Sequence, residues 1–117
     1  MSVSPRIDAT HLLDFATAVY ASAGMPEADA RLVADTLVQA DLWGHQSHGV
    51  LRLGWYLDRL RHGVMHPVTT PELVVDAGAM AVLDGHDGGG QGLAMRATHA
   101  DLRRIAQATG LAAQCPC

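Results

Sequence analysis

Glycines at positions 24, 44, 49 and 63 cut the first half of this 117-residue chain into segments whose apolar residues recur at helical spacing. This punctuation limits the fold more than any other feature, because each glycine stands where a helix must stop or start. The first segment sets Leu12, Phe15, Ala16, Val19 and Ala23 on one stripe, with Asp8 as N-cap and Gly24 as a left-handed C′ residue. It predicts a helix over Ala9–Ala23. The second opens at Pro26, suited to the first helical position, with Glu27 and Asp29 near the positive end of the dipole. It turns Ala30, Val33, Leu37 and Ala40 inward and ends near Leu42–Gly44. Only Gly24 and Met25 separate the two, so a helical hairpin is predicted. A third helix is expected from Gly49 to His62, burying Leu53, Tyr56, Leu57 and Leu60 and stopped by Gly63.

Pro67 and Pro71 then mark an extended linker. Glu72–Asp76 and Met80–Asp84, separated by Ala77-Gly78-Ala79, read as a β-hairpin. A glycine-rich stretch follows, then a predicted helix over Leu93–Thr109 and the first residues of a strand at Leu111–Ala113. The fold class is therefore α+β: a bundle of three N-terminal helices, a short β-hairpin and a further helix. Residues 1–66 form a helical region and residues 67–117 begin an α/β region. Hydrophobic residues make up 49% of the chain and aromatics only 4%, so the core must be built from Ala, Leu and Val. A formal charge of −4 offers no phosphate-neutralising surface, which counts against nucleic acid. No apolar run approaches the roughly 18 residues of a membrane span, and no signal-peptide core follows Met1. No membrane association and a cytoplasmic location are expected. Cys115 and Cys117, flanking Pro116, make neither a disulfide framework nor a zinc site.

The chemistry concentrates in Gly44–Leu53, which holds Ser47, His48 and Arg52. Imidazole titrates near neutral pH and can donate or accept a proton, and Ser47 can orient it or pass the proton on. Arg52 offers a two-pronged grip on a carboxylate. With a helix starting near Gly49, it would stand about one turn from His48 on the same side. Together these groups suit a small 2-oxo or 2-hydroxy acid. The plainer reading leaves His48 bonded to backbone and Arg52 solvated. His45 and His48, like His62 and His66, have spacings that can share a metal ion, but no carboxylate completes a ligand motif, and no metal site is expected. The glycines at 85–92 fit neither Gly-x-Gly-x-x-Gly nor a Walker loop, and read as a turn feeding a helix N-terminus. Such a terminus can still take an anion at a cofactor's edge. Arg52, Arg59 and Arg61 on one helix suggest a helix-turn-helix, which the acidic balance and the lack of a broader basic face oppose.

The run Ala40-Asp41-Leu42-x-Gly44-His45-x-Ser47-His48-Gly49-Val50-x-Arg52-Leu53, followed by Tyr56-Leu57-x-Arg59-Leu60 and Gly63, resembles the malate/L-lactate dehydrogenase family. This is the group of NAD(P)-dependent oxidoreductases without the usual Rossmann fold. The resemblance continues through Ala79–Gly85 and Gly90-Gln91 and covers roughly residues 8–97. It implies a larger mixed α/β dehydrogenase fold, a small 2-hydroxy or 2-oxo acid as substrate, NAD or NADP as cofactor, and a homodimer. His48 would be the proton donor and acceptor, Ser47 part of its relay, and Arg52 the substrate carboxylate's partner; the resemblance assigns no cofactor-binding residue. Trp43 departs from the arginine or small residue often found there. Thr98-His99-Ala100-Asp101 replaces a more apolar face. Beyond Ala113 the family continues with an Asn-Ser-x-His-Phe-Gly segment and the cofactor-binding domain, whereas this sequence reads Gln114-Cys115-Pro116-Cys117. The expectation is a truncated N-terminal portion, inactive by itself. The rival expectation is a non-catalytic helical module for dimerisation or protein interaction.

Overall fold

A computed structural model describes residues 5–77 and 80–88. Helix α1 spans Ala9–Ser22, α2 spans Glu27–Leu42 and α3 spans Leu53–Arg61, followed by strands β1 (Glu72–Asp76) and β2 (Ala81–Asp84). The predicted helix over 93–109, the strand at 111–113, residues 89–92 of the glycine run and both cysteines lie outside the described residues.

The helix ends follow from local sequence. The Asp8 carboxylate accepts the His11 amide at 3.0 Å, satisfying a donor that a first turn leaves free. At the other end of α1, Gly24 has φ of +97°. Its N–H donates to the Ala21 carbonyl at 3.1 Å and the Met25 N–H to Tyr20 at 3.3 Å, the paired bonds of a Schellman closure. The same two bonds end α2 at Gly44 (to Asp41, 2.9 Å) and His45 (to Ala40, 2.8 Å). They end α3 at Gly63 (to Leu60, 3.2 Å) and Val64 (to Arg59, 3.0 Å).

The helix starts differ from the sequence prediction. Pro26 is the N-cap of α2 rather than its first residue: at ψ of 140° it is still extended, and its carbonyl accepts the Ala30 N–H at 2.8 Å. The larger correction concerns the third helix. It begins at Leu53, and residues 46–48 and 50–52 form two 3-10 turns instead, broken at an extended Gly49.

Helices α1 and α2 pack as the expected hairpin, and α3 closes over them. Ala16, Tyr20, Met25, Ala30, Val33, Ala34, Leu37, Leu53 and Leu60 form the core. Ala16, Ala30 and Ala34 are fully buried, and their small side chains let the helices approach closely. Each buried Val or Leu contributes roughly 1.5–3 kcal/mol. Phe15, expected on the buried stripe, is instead 59% exposed. An alanine-rich helix satisfies the three-and-four spacing in neighbouring phases, and packing on α2 selects the face of Leu13, Ala16, Thr17 and Tyr20. Thr17 sits there at no loss, because its hydroxyl donates to the Leu13 carbonyl at 2.7 Å. On α3, Leu53 and Leu60 are buried as expected, while Tyr56 and Leu57 are half-buried.

Strands β1 and β2 pair antiparallel, with Glu72 opposite Asp84, Leu73 opposite Leu83, Val75 opposite Val82 and Asp76 opposite Ala81; an irregularity falls at Val74. Met80 lies before β2 rather than in it, its carbonyl accepting the Ala77 N–H at 2.9 Å. Every residue of β1 is exposed. The hairpin is tied back towards α3 where the His66 N–H donates to the Asp87 carbonyl at 2.9 Å.

The Tyr20 side chain is fully buried, and its hydroxyl has no hydrogen-bond partner among the described residues. Burial, with Tyr56 adding to it, pushes the phenol well above its ordinary range, so the folded state keeps a proton that the unfolded chain loses. Tyr20 therefore stabilises the fold fully below about pH 10 and progressively less above it. Tyr20→Phe is expected to flatten this alkaline loss, measured by urea unfolding between pH 8 and 11, and to be neutral or stabilising at pH 7.

Candidate active site

The segment from Gly44 to Arg52 leaves the end of α2 and turns back over it. What aims it is Asp41, on the last turn of α2. One Asp41 carboxylate oxygen accepts the Val50 N–H at 2.8 Å. Gly49 is buried directly against that carboxylate, and a β-carbon there would collide with it. With φ of −90° and ψ of −156°, Gly49 interrupts any helix and separates the two 3-10 turns. Its carbonyl then accepts the Arg52 N–H at 2.9 Å, the spacing of a 3-10 turn rather than of an α-helix. Asp41 lay inside the recognised motif, but nothing in its local sequence marks its partner, which is nine residues away.

Ser47 Oγ lies 2.9 Å from His48 Nδ1, so the hydroxyl and imidazole form a hydrogen-bonded pair. Among the described residues Nε2 has no partner, and both side chains are exposed. Arg52 joins them by a route that spacing did not foresee: its Nε donates to the Ser47 carbonyl at 2.8 Å. The helical relation between His48 and Arg52 is thus replaced by a direct bond across the break. The Arg52 terminal nitrogens are left for another acceptor, and its guanidinium carbon stands 4.8 Å from the centre of the Trp55 ring. Ser47, His48 and Arg52 are accordingly one linked group.

Four of the other histidines make contacts of their own. The His45 and His48 rings are 4.7 Å apart and tilted by 36°. His62 Nδ1 donates to the Asp58 carbonyl at 2.7 Å, capping α3, and the His66 N–H serves the hairpin contact. Near β1, His86 Nε2 lies 3.0 Å from Glu72 Oε2. Among the described residues no three His, Cys, Asp or Glu side chains assemble into a metal-binding group, and no helix is long and apolar enough to cross a membrane. Trp43, the departure noted in the motif, caps α2 and is 79% exposed.

The geometry makes opposite demands at two glycines five residues apart. Gly49→Ala should cost about 1–3 kcal/mol, because methyl and carboxylate cannot share the space. It should also expose the Val50 amide to hydrogen exchange. Gly54→Ala, in α3 with open space around its β-carbon, should instead stabilise by about 0.5–1 kcal/mol. Urea unfolding with amide exchange checks both.

The sequence profile of the malate/L-lactate dehydrogenase family matches residues 7–115, further than the motifs alone reach. The chain is 36% identical over 106 residues to a malate dehydrogenase of Pyrococcus abyssi, covering 91% of this chain and 29% of that protein. It is 37% identical over 81 residues to an L-sulfolactate dehydrogenase of Methanocaldococcus jannaschii, covering 69% of this chain and 24% of that protein. Among solved structures, a dehydrogenase from Sinorhizobium meliloti superposes with a TM-score of 0.84 at 31% identity, over 91% of this chain and 33% of the other. The chain thus spans about a quarter to a third of the length of these relatives, and it belongs to the malate/L-lactate dehydrogenase family.

Proposed function

We propose that this chain carries the substrate and proton-transfer side of an NAD(P)-dependent dehydrogenase acting on a small 2-hydroxy or 2-oxo acid. The observation that carries the reading is the linked group of Ser47, His48 and Arg52, in a chain that belongs to a family of dehydrogenases. In this reading the Ser47 hydroxyl, 2.9 Å from His48 Nδ1, accepts from Nδ1–H, which leaves Nε2 as the proton-transferring atom. Protonated Nε2 gives its proton to the substrate oxygen in reduction; unprotonated Nε2 takes the hydroxyl proton in oxidation. Through both directions Nδ1–H stays bonded to Ser47, which fixes the ring and its tautomer. The Arg52 terminal nitrogens hold the substrate carboxylate, and the bond from Nε to Ser47 sets its position relative to the imidazole.

A nicotinamide cofactor supplies or removes the hydride in such chemistry. The described residues offer no cradle for it. The start of α1 is filled by the Asp8 carboxylate, the first turn of α2 carries Glu27 and Asp29, and the tight turn at Gly49 is filled by Asp41. No residue is assigned to the cofactor, and by itself the 117-residue chain is proposed to be inactive. Assays with L-malate or L-lactate and either NAD or NADP should show no turnover; rates of about 1 s⁻¹ or more would overturn this.

The homodimer is part of the same reading. Leu42, Trp43 and Leu51 are 63%, 79% and 78% exposed beside the site, an apolar surface suited to a partner.

The substrate side is testable without turnover. Pyruvate added to the ¹⁵N-labelled chain should shift the Arg52 Nε–H and the His48 ring signals. Arg52→Gln should weaken this binding about tenfold or more, as expected for loss of a charge-assisted pair. Shifts that survive Arg52→Gln unchanged would exclude Arg52 as the carboxylate's partner.

A further inference from the structure

Trp55 holds a second guanidinium as well as the first. The Arg59 guanidinium carbon lies 4.7 Å from the centre of the Trp55 ring, against 4.8 Å for Arg52. Arg52 precedes α3 and Arg59 falls near its last turn, so one indole gathers two cations beside one site. Trp55 also stacks on Tyr56, with ring centres 5.9 Å apart and planes 18° from parallel, which steadies the platform.

Three observations set this arrangement apart from solvated surface charge. Packing on an aromatic face restrains a guanidinium that would otherwise sample many rotamers, while leaving its edge N–H donors outward. Neither Arg52 nor Arg59 has a carboxylate partner among the described residues; the arginine ion pair there is Arg31 with Asp14, at 3.3 Å between α2 and α1. Two cations collected on one ring also repel each other, and an anion between them relieves that repulsion. Through Nε, Arg52 is bound to the segment that carries His48, and Arg59 shares the ring on which Arg52 packs.

We propose that Arg59 is a specificity-determining residue that binds a second anionic group of the substrate. The site then favours 2-hydroxy or 2-oxo acids with a carboxylate or similar anion at the far end over monocarboxylates. This rests on Arg52 holding the carboxylate next to the reacting carbon.

The test compares L-malate with L-lactate on the ¹⁵N-labelled chain, following the Arg Nε–H and Trp indole N–H signals. L-malate is expected to bind about tenfold more tightly than L-lactate and to shift the signals of Arg59 and Trp55 as well as Arg52. Arg59→Gln should remove that preference while leaving L-lactate affinity unchanged, and Arg59→Lys should restore part of it. Arg52→Gln should weaken both acids. Equal affinity for the two acids, or a preference that survives Arg59→Gln, overturns the role of Arg59 and leaves the reading of Arg52 standing. Binding that is insensitive to Arg52→Gln, or no binding of either acid, overturns both.

Discussion

The bond from the Val50 amide to the Asp41 carboxylate joins the helical hairpin to the segment that carries the proposed site. Asp41 belongs to α2, whose position is fixed by packing against α1; Val50 belongs to the segment carrying Ser47, His48 and Arg52. A half-buried carboxylate needs donors, and a turn with a free amide needs an acceptor. The contact satisfies both, but only at a residue without a β-carbon, since Gly49 lies directly against the acid group. The break in the helix, the 3-10 turns on either side of it and the reach of Arg52 back to Ser47 all follow from that requirement.

Beneath the site, the core is formed mainly by small and aliphatic side chains, with Tyr20 as its one large polar exception. Close helix packing through alanines provides rigidity without aromatic bulk, and the three glycine closures end each helix sharply. The aromatic residues left over serve the surface instead. Trp55 carries the two guanidiniums and Trp43 caps α2 beside the site, whereas Phe15 stands exposed on α1. The apolar residues of the two-stranded sheet also face outward in part, with Val74 57% and Val82 46% exposed. Two strands alone are marginal, so the hairpin leans on its turn contacts: His86 with Glu72, and Asp87 with His66.

Wherever the physical cause was local, the sequence was sufficient. Asp8 as a cap, Gly24, Gly44 and Gly63 as left-handed stops, the helical hairpin and the antiparallel pairing of residues 72–76 with 81–84 each depend on residues a few positions apart. The Ser47–His48 pair was visible for the same reason, as neighbours in the chain. The pattern also sufficed for the family, because sixteen motif residues at fixed spacing are hard to match otherwise.

Tertiary structure decided the rest, because packing and long-range hydrogen bonds choose among locally equivalent states. Apolar spacing allowed Phe15 on the buried face; contact with α2 kept Ala16 there but gave the rest of that face to Thr17 and Tyr20. Helical propensity favoured a continuous helix from Gly49; the Asp41 carboxylate, delivered from the previous helix, stopped it and set α3 to begin at Leu53. Sequence thus determined which groups the proposed site contains. How Arg52 reaches Ser47 required the fold, since the break that permits it depends on where the Asp41 carboxylate lies in space, whereas Arg59 meets Trp55 at ordinary helical spacing once α3 has formed.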